Sequence, residues 1–299
     1  DRKMAYGSGD YTYELAEDWG RLPEGYEFNQ VAGVAVDKDD NVYVFNRSSH
    51  QMMVFGRDGS FIKSWDQKFS NPHGVHIGPD GNIYATDRDA HVVQKFSPDE
   101  TLLLTLGTRD NPSDTGYDPQ DRVVQQAAGP FNLPTAVAVT ESGDMFVSDG
   151  YGNCRLHKYD ASGALVDSWG EPGKDNPLDF HLPHGVGLTN DGRVLVCDRE
   201  NHRIQIFDQE GRYLAMWTGF RQPTDVAFGP DGEVYVSELQ HRLTIVDSDG
   251  NVLARWGGES SHEAGEFVAP HGIAIDSHGD IYIGEVLAGQ RVQKFIRQR

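Results

Sequence analysis

A motif that recurs six times along the chain restricts the possible fold more than any other feature of the sequence. Each copy begins with Phe, usually has Pro three residues later, and continues with alternating apolar residues. The anchoring residues are Phe28, Phe69, Phe131, Phe180, Phe220 and Phe267. Each copy then shows two period-2 strands around a turn such as PDGN and a third strand such as HRIQIF. A fourth strand follows in five of the copies, for example VLARWG.

Four short strands in every ~40 to 60 residues predict one blade of a β-propeller. The sixth copy ends after its third strand, whereas YTYELAEDWG at residues 11–20 is a strand without a copy of its own. We therefore predict an all-β, six-bladed propeller that forms a single domain over residues 1–299. Residues 1–20 are expected to supply the outer strand of blade six, which closes the ring and leaves no open sheet edge.

Charge and composition argue against several classes of partner. The chain has 26 Lys and Arg against 46 Asp and Glu, a net charge of −20, so its surface repels nucleic acid and anionic lipid. No apolar run approaches the ~20 residues of a membrane-spanning helix. The two cysteines, Cys154 and Cys197, are too few for a disulfide scaffold or a cysteine-built zinc finger. We expect neither nucleic acid nor a membrane as a partner.

The residue after Pro at the entry to the innermost strand divides the copies into two groups. It is His73, His184 and His271 in copies two, four and six, and Ala32, Thr135 and Thr224 in the others. Innermost strands line the channel of a propeller, so alternate blades would direct three imidazoles to one place. Three histidines with an open position are typical of a catalytic zinc site. The alternative is that PHG is only a favoured turn sequence. We predict a metal site, with zinc preferred and iron or cobalt also suited.

Two further departures from the repeat follow the second strand. Arginine stands there in some copies, at Arg47, Arg88 and Arg199, which indicates a bound anionic group such as a carboxylate; the alternative for each is pairing with a local acid. Copy three has SDGYGNCR, one residue longer than the CDRENHR of copy four. The extra residue could turn Tyr151 inward, where a phenol near a metal ion and arginine could act as a base. Its alternative is a stacked surface tyrosine.

Acidic residues at the end of the second strand and arginines at the start of the third recur at matching positions, and we interpret them as a structural set.

The connection at residues 107–129, between copies two and three, is long, polar and acidic, and a shorter one at residues 171–179 precedes copy four. Long connections in a compact fold are often functional, for instance as lids.

Two segments, FNLPTAVAVTESGDMFVSDGYGNCR and LPHGVGLTNDGRVLVCDRENHRIQIF, resemble the lyase unit of the peptide-amidating enzyme, peptidyl-α-hydroxyglycine α-amidating lyase. The blades resemble NHL repeats, and the resemblance extends over essentially all six copies. It implies a six-bladed propeller that cleaves the C–N bond of a hydroxyglycine carbinolamide to give an amide and glyoxylate. It also implies zinc on His73, His184 and His271, a catalytic Tyr151, and active-site arginines at Arg47 and Arg199.

The sequence departs from that family at several positions. Gly272 stands where the family carries an Asp that is implicated in activity and in a structural calcium site. The backbone carbonyls of Val34 and Val75 match the other calcium positions, but the missing carboxylate argues against calcium here. Gly152 replaces a disulfide-forming Cys of the family. Arg88 has no counterpart, and we assign it to substrate binding.

Three functions stay open on the residues alone. The first is a zinc lyase that acts on a small-molecule or peptide-end substrate with a carboxylate, in which Tyr151 takes the hydroxyl proton. The second is a zinc hydrolase of an ester, lactone or amide on the same propeller, and the third is a non-enzymatic NHL interaction scaffold. The compartment is open as well. A secreted or periplasmic location is favoured because the chain starts at Asp1 without Met and the resembling family is secretory.

Overall fold

The structure of the protein is a computed structural model that describes residues 3–299. The predicted outer strand at residues 1–20 therefore begins with two residues, 1 and 2, that lie outside the described residues. The fold class is confirmed: the protein is an all-β, six-bladed propeller, and the described residues contain a single 3-10 turn, η1, at Arg199–Asn201. No helix formed by residues 3–299 is long and apolar enough to cross a membrane.

The strands are numbered in chain order. The N-terminal segment and blade one contain β1 (Ala5–Ser8), β2 (Tyr11–Ala16), β3 (Val31–Val36), β4 (Val42–Asn46), β5 (Met52–Phe55) and β6 (Phe61–Ser64). Blade two contains β7 (Pro72–Ile77), β8 (Ile83–Asp87), β9 (Val92–Phe96) and β10 (Leu102–Leu106). Blade three contains β11 (Pro134–Val139), β12 (Met145–Asp149), β13 (Arg155–Tyr159) and β14 (Leu165–Trp169).

Two short parallel strands, β15 (Glu171–Pro172) and β16 (Asp179–Phe180), lie in the connection that precedes blade four. Blade four contains β17 (Pro183–Leu188), β18 (Val194–Asp198), β19 (Arg203–Phe207) and β20 (Tyr213–Thr218). Blade five contains β21 (Pro223–Phe228), β22 (Val234–Glu238), β23 (Arg242–Val246) and β24 (Val252–Gly257). Blade six contains β25 (Pro270–Ile275), β26 (Ile281–Glu285) and β27 (Arg291–Arg297).

The blades fall into two compact units. Unit 1 consists of the chain up to Lys68 together with Thr224–Arg299, and holds blades one, five and six. Unit 2 is Phe69–Pro223 and holds blades two, three and four. The single domain over residues 1–299 stays a prediction.

The N-terminal strands belong to the sheet of blade six, whose strand order is β1-β2-β27-β26-β25. β2 pairs antiparallel with β27, with Tyr13 opposite Arg297 and Leu15 opposite Phe295. Tyr13 is fully buried, and its ring lies 5.6 Å from that of Trp256 in blade five. Because a strand gains main-chain hydrogen bonds and buried apolar area by this pairing, the last copy needs no fourth strand of its own.

Within each unit, repeated Phe residues fill the space between consecutive blades. In unit 2, Phe131 packs with Tyr84 and Val93 of blade two and with Val147 of blade three. In unit 1, Phe267 packs with residues of blades five and six, including Phe295. Burial of an aromatic side chain between two sheets stabilises both, which accounts for an anchor at this position in every copy.

The acidic and basic residues at the second and third strands are structural, as interpreted from the repeat. Asp198 binds Arg203 at 2.7 Å, Glu238 binds Arg242 at 2.6 Å, and Glu285 binds Arg291. All three acids are fully buried, so each charge needs its partner. Blade three differs, because its buried Asp149 lies 2.9 Å from His157 Nε2.

The entry to the innermost strand is held by the preceding blade. The residue before Pro has a left-handed φ in four blades: Leu133 (57°), Leu182 (60°), Gln222 (54°) and Ala269 (50°). Nδ1 of His91, His202 and His241 accepts the backbone N–H of Leu133, Gln222 and Ala269 at 2.9, 3.1 and 3.0 Å. The N–H of Leu182 instead faces the Cys154 thiol. We call the four acceptors, His91, Cys154, His202 and His241, the entry residues. The hydrogen bond that each one accepts offsets the free-energy cost of the left-handed backbone conformation.

Candidate functional site

The Tyr151 loop of unit 2 is shaped by two glycines that have no room for a side chain. A Cβ on Gly150 would lie 1.7 Å from the carbonyl oxygen of Pro183 in blade four. A Cβ on Gly152 would lie 2.1 Å from Asn132 Oδ1 in blade three. The loop is therefore pressed between two blades, and this close fit fixes the direction of Tyr151. It also explains why Gly152 cannot be replaced by cysteine here without a backbone shift.

The long connection at residues 107–129 is bound to the same loop. Thr115, fully buried, donates to the carbonyl oxygen of Gly152 at 2.5 Å. Asn153 donates to the carbonyl of Ala128 at 3.0 Å and accepts the N–H of Ala128 at 3.2 Å. Buried polar contacts of this kind hold a loop in one arrangement, so this connection forms a wall of the site.

Tyr151 Oη lies at the meeting point of three basic side chains of unit 2. It is 3.3 Å from His73 Nε2 and 3.4 Å from His184 Nε2. Arg199 Nη1 donates to it at 3.4 Å. The structure thus places Tyr151 Oη beside the two histidines and Arg199, and its catalytic role stays a prediction.

His73 and His184 are brought together as the sequence predicted. Both are about 2% exposed, and their ring centres are 4.6 Å apart. His73 Nδ1 lies 2.6 Å from the carbonyl oxygen of Thr135 in the next blade. That contact fixes Nδ1 as the protonated nitrogen and leaves Nε2 as a ligand atom, the arrangement usual in metal-binding histidines.

The glycine of the PHG sequence has a role in this contact. A Cβ on Gly74 would lie 2.7 Å from the Thr135 carbonyl oxygen, the same atom that faces His73. Glycine therefore lets the next blade approach closely enough to fix the imidazole.

His271 has the equivalent local environment in unit 1. It is 3% exposed, and its Nδ1 lies 2.6 Å from the carbonyl oxygen of Ala32 in blade one. A Cβ on Gly272 would lie 2.9 Å from that oxygen. The buried imidazole, held through Nδ1 in the same way as His73, fits a metal ligand by its chemistry; its membership of a three-histidine site stays a prediction.

The arginines differ in what they contact. The guanidinium of Arg88 lies 4.6 Å from the ring centre of Tyr151, and that of Arg199 lies 5.5 Å from it. Each also pairs with the acid that follows it: Arg88 with Asp89 at 3.0 Å and Arg199 with Glu200 at 2.9 Å. Local pairing and proximity to Tyr151 thus occur together, so both arginines are held beside the phenol.

Arg47 lies in unit 1, after β4. Its Nη1 donates to Gln30 Oε1 at 3.1 Å, and its backbone N–H donates to the Gln30 carbonyl. Its predicted contact with a substrate carboxylate stays a prediction.

The calcium positions also remain untested. Val34 lies on β3 in unit 1 and Val75 on β7 in unit 2. The tight fit at Gly272 leaves no space for the carboxylate that the family carries there.

At the matching position of blade five, however, the chain has Asp225, which the sequence analysis did not single out. Its carboxylate accepts the N–H of Val226 at 2.9 Å and that of Ile273 at 3.3 Å.

The Asp225 carboxyl should make stability depend on pH. Burial raises its pKa to about 7. The folded protein therefore binds the carboxyl proton of Asp225 more tightly than the unfolded chain does. The stabilisation that comes from this proton is lost as the pH rises from about 4 to about 7. From pH 5 to pH 8, we expect the free energy of unfolding to fall by about 2 kcal/mol relative to Asp225→Asn. Chemical unfolding of both proteins with a chelator present measures this difference; parallel pH profiles would contradict it.

A cavity of about 980 Å³ in unit 2 opens beside Tyr151. The predicted residues Arg88, Tyr151 and Arg199 line it. So do residues that the sequence analysis did not single out, among them Tyr117, Arg122, Lys174, His181, Glu200 and Gln222. Three of these, Tyr117, Arg122 and Lys174, lie on connections where the repeat gives no register, although the two long insertions did indicate where to look.

Cys154 also lines the cavity but is unsuited to nucleophilic chemistry. Burial raises the pKa of its thiol to about 12, so the reactive thiolate is scarce at neutral pH. It does not form a disulfide with Cys197, which is buried on β18.

Known proteins similar to this chain share the repeat and the fold. The NHL repeat profile matches residues 69–96 and 180–207. Human NHL repeat-containing protein 3 is 31% identical over 305 residues, which is 95% of this chain and 84% of that protein. Peptidyl-alpha-hydroxyglycine alpha-amidating lyase 1 of Drosophila melanogaster is 27% identical over 204 residues, 66% of this chain and 28% of that protein.

Solved structures agree with the fold. A gluconolactonase from Xanthomonas campestris superposes with a TM-score of 0.69 at 12% identity, over 100% of this chain and 96% of that one. At that identity the likeness concerns the fold alone. The identity to the human protein extends along almost the whole sequence, so this chain belongs to the family of NHL-repeat proteins that includes NHL repeat-containing protein 3.

Proposed function

We propose that the protein is a metal-dependent lyase that cleaves the C–N bond of an α-hydroxyglycine-type carbinolamide, or of a close variant on another small hydroxylated carboxylate. The products are an amide and glyoxylate. The observation that carries the proposal is the position of Tyr151 Oη, within 3.4 Å of His73 Nε2, His184 Nε2 and Arg199 Nη1. Similarity to an amidating lyase supports it.

His73, His184 and His271 would hold the metal ion, with zinc preferred. The metal, when bound, would act as a Lewis acid toward the substrate hydroxyl. The support within the chain is the buried state of all three imidazoles, and the carbonyl contact that holds Nδ1 of His73 and of His271. Imidazole nitrogens are ligands that zinc accepts readily.

Tyr151 would act as the base. With Tyr151 as the phenolate, the hydroxyl proton would pass to Oη, the C–O bond would become the carbonyl of glyoxylate, and the C–N bond would break. The amide nitrogen would keep the C–N electron pair and take up that proton. Oη can return the proton that it accepted, so the reaction needs no other reactant. The guanidinium groups of Arg199 and Arg88 near the ring stabilise negative charge on the phenol.

Arg199 and Arg88 would also bind the substrate carboxylate. Both line the cavity and carry planar groups that match a carboxylate. Arg47 would join them, as the resemblance of the sequence implies. The partner of the protein is thus a small-molecule or peptide-end substrate with a carboxylate.

The test combines metal analysis with an assay. Elemental analysis of the purified protein should find about one divalent ion per chain in addition to any calcium. The metal-loaded protein should release glyoxylate from an N-acyl-α-hydroxyglycine, measured in a coupled assay, and chelation should abolish the release. Hydrolysis of lactones or esters with no glyoxylate release would favour the hydrolase. A metal-free protein inactive on both would favour the scaffold.

A further inference from the structure

The cavity is much larger than the reacting group needs. An α-hydroxyglycine unit has only a few non-hydrogen atoms, whereas a cavity of about 980 Å³ is of the size that encloses a drug-sized ligand. Its wall includes the aromatic and aliphatic side chains of Tyr117, Val123 and Val124. These residues belong to the long connection at 107–129, so this insertion adds binding surface that the repeat itself does not provide.

Four cationic side chains line this cavity in a chain whose net charge is −20. Two of them, Arg88 and Arg199, lie beside Tyr151 and pair with Asp89 and Glu200. The other two, Arg122 and Lys174, come from the two inserted connections. Within residues 3–299, neither side chain forms an ion pair or a hydrogen bond.

The backbone at Arg122 is held in place although its side chain has no partner. Its N–H donates to the Asp118 carbonyl at 2.8 Å. The neighbouring acid, Asp121, accepts the backbone N–H of Val123 at 3.1 Å and so serves the turn. Tyr117 is close enough to interact with both arginines: burial raises the pKa of its phenol, and the Arg122 and Arg88 guanidiniums oppose that shift.

The backbone at Lys174 is held equally well. Arg203, mostly buried, donates to the carbonyl oxygens of Lys174 at 3.0 Å and Asp179 at 2.8 Å, and pairs with Asp198 at 2.7 Å. The connection at residues 171–179 is therefore anchored to the blade, and its lysine is presented to the cavity from a fixed position. Two cations on fixed backbones at the wall of one cavity make its potential favourable to an anion.

We propose that the substrate carries a second carboxylate, which Arg122 and Lys174 bind at the wall of the cavity. The substrate is then an α-hydroxyglycine whose amide is joined to a chain that ends in, or bears, an acidic group. Its middle part packs on Tyr117 and Val123. The second carboxylate belongs either to a dicarboxylic acyl chain or to an acidic side chain of a peptide. This inference uses the proposed function only for the α-hydroxyglycine end of the substrate.

Binding without turnover tests the site independently of the reaction. The probes are N-acylglycines without the hydroxyl group: succinyl-, glutaryl- and adipoyl-glycine, each against the analogue in which a methyl group replaces the terminal carboxylate. A tripeptide with an acidic first residue and a C-terminal glycine forms the peptide arm. Titration calorimetry on the metal-loaded protein gives Kd, at low and at high salt.

We expect at least one carboxylate-ended probe to bind about 5- to 10-fold more tightly than its methyl-ended analogue, with the preference reduced at high salt. The double variant Arg122→Ala/Lys174→Ala should abolish the preference and leave the Kd of the methyl-ended probe within about twofold. Arg109→Ala is the matched control, because Arg109 lies in the same connection, is exposed and does not line the cavity. It should keep the preference.

The outcomes separate the two proposals. A wild-type protein without any preference, or an equal loss of preference in Arg109→Ala, would overturn the second-carboxylate site. A preference that depends on Arg122 and Lys174, together with no glyoxylate release from any hydroxylated analogue, would confirm the site and overturn the lyase. The class of probe that binds more tightly, N-acylglycine or tripeptide, then assigns the carboxylate to an acyl chain or to a peptide.

Discussion

Replacement of Tyr151 by Phe is expected to lower glyoxylate release by ~10²-fold or more, the scale of a lost general base. The substitution keeps the ring, whose centre lies 4.6 Å from the Arg88 guanidinium, and removes only Oη. Because His73 and His184 keep their other contacts, the metal content should not change. Single-turnover kinetics and elemental analysis of the same preparation measure both quantities.

A conservative change at a neighbouring position serves as the control. Tyr117→Phe also removes one phenol oxygen from the cavity wall, but Tyr117 has no contact with the histidines that would make it a base. It should retain most of the turnover. Full turnover by Tyr151→Phe on a genuine substrate would exclude proton abstraction by the phenol, and the hydrolase would become the leading hypothesis.

Removal of any one of the three predicted ligands should have the largest effect of all. In His73→Ala, His184→Ala and His271→Ala we expect the metal to fall well below one equivalent and activity to fall to background, since two imidazoles bind a divalent ion much more weakly than three. Elemental analysis after dialysis measures the loss, and thermal melts in a chelator check that each variant is folded. His278→Ala, at an exposed turn, should keep the metal.

The three variants also test the ligand set itself. Loss of metal from His73→Ala and His184→Ala, but not from His271→Ala, would contradict the alternate-copy pattern and restrict the site to unit 2. Rescue of any variant by added imidazole would support a ligand role over a purely structural one.

The sequence was informative wherever the repeat provides a register. The six Phe anchors predicted the blades, and Phe28, Phe131, Phe180 and Phe267 each pack between two sheets. The one extra residue in SDGYGNCR predicted that Tyr151 points inward. The pairing of β2 with β27 followed from counting strands. In each case the feature was visible when the copies were compared by sequence alone.

Contacts between blades could not be predicted in this way. Gly150 and Gly152 look like ordinary loop glycines, and their necessity comes from Pro183 and Asn132, which are distant in sequence. Likewise, Arg122 and Lys174 lie on insertions without any copy for comparison. Asp225 was overlooked because its copy has Thr224 in place of the histidine after Pro, although Asp225 occupies the position of the PHG glycine.

The entry residues make neighbouring blades interdependent in a way that matters for protein engineering and for how such repeats diverge. His241 belongs to blade five, yet it holds the N–H of Ala269, two residues before His271 in blade six. Cys154 of blade three stands in the same relation to Leu182 and His184. When a single copy is exchanged, duplicated or moved to another protein, the entry residue that aligns its histidine therefore stays behind in the preceding blade. The smallest transferable piece is the inner strand with the third strand of the blade before it, and chimaeras cut at the Phe anchors should fold but misplace the imidazole.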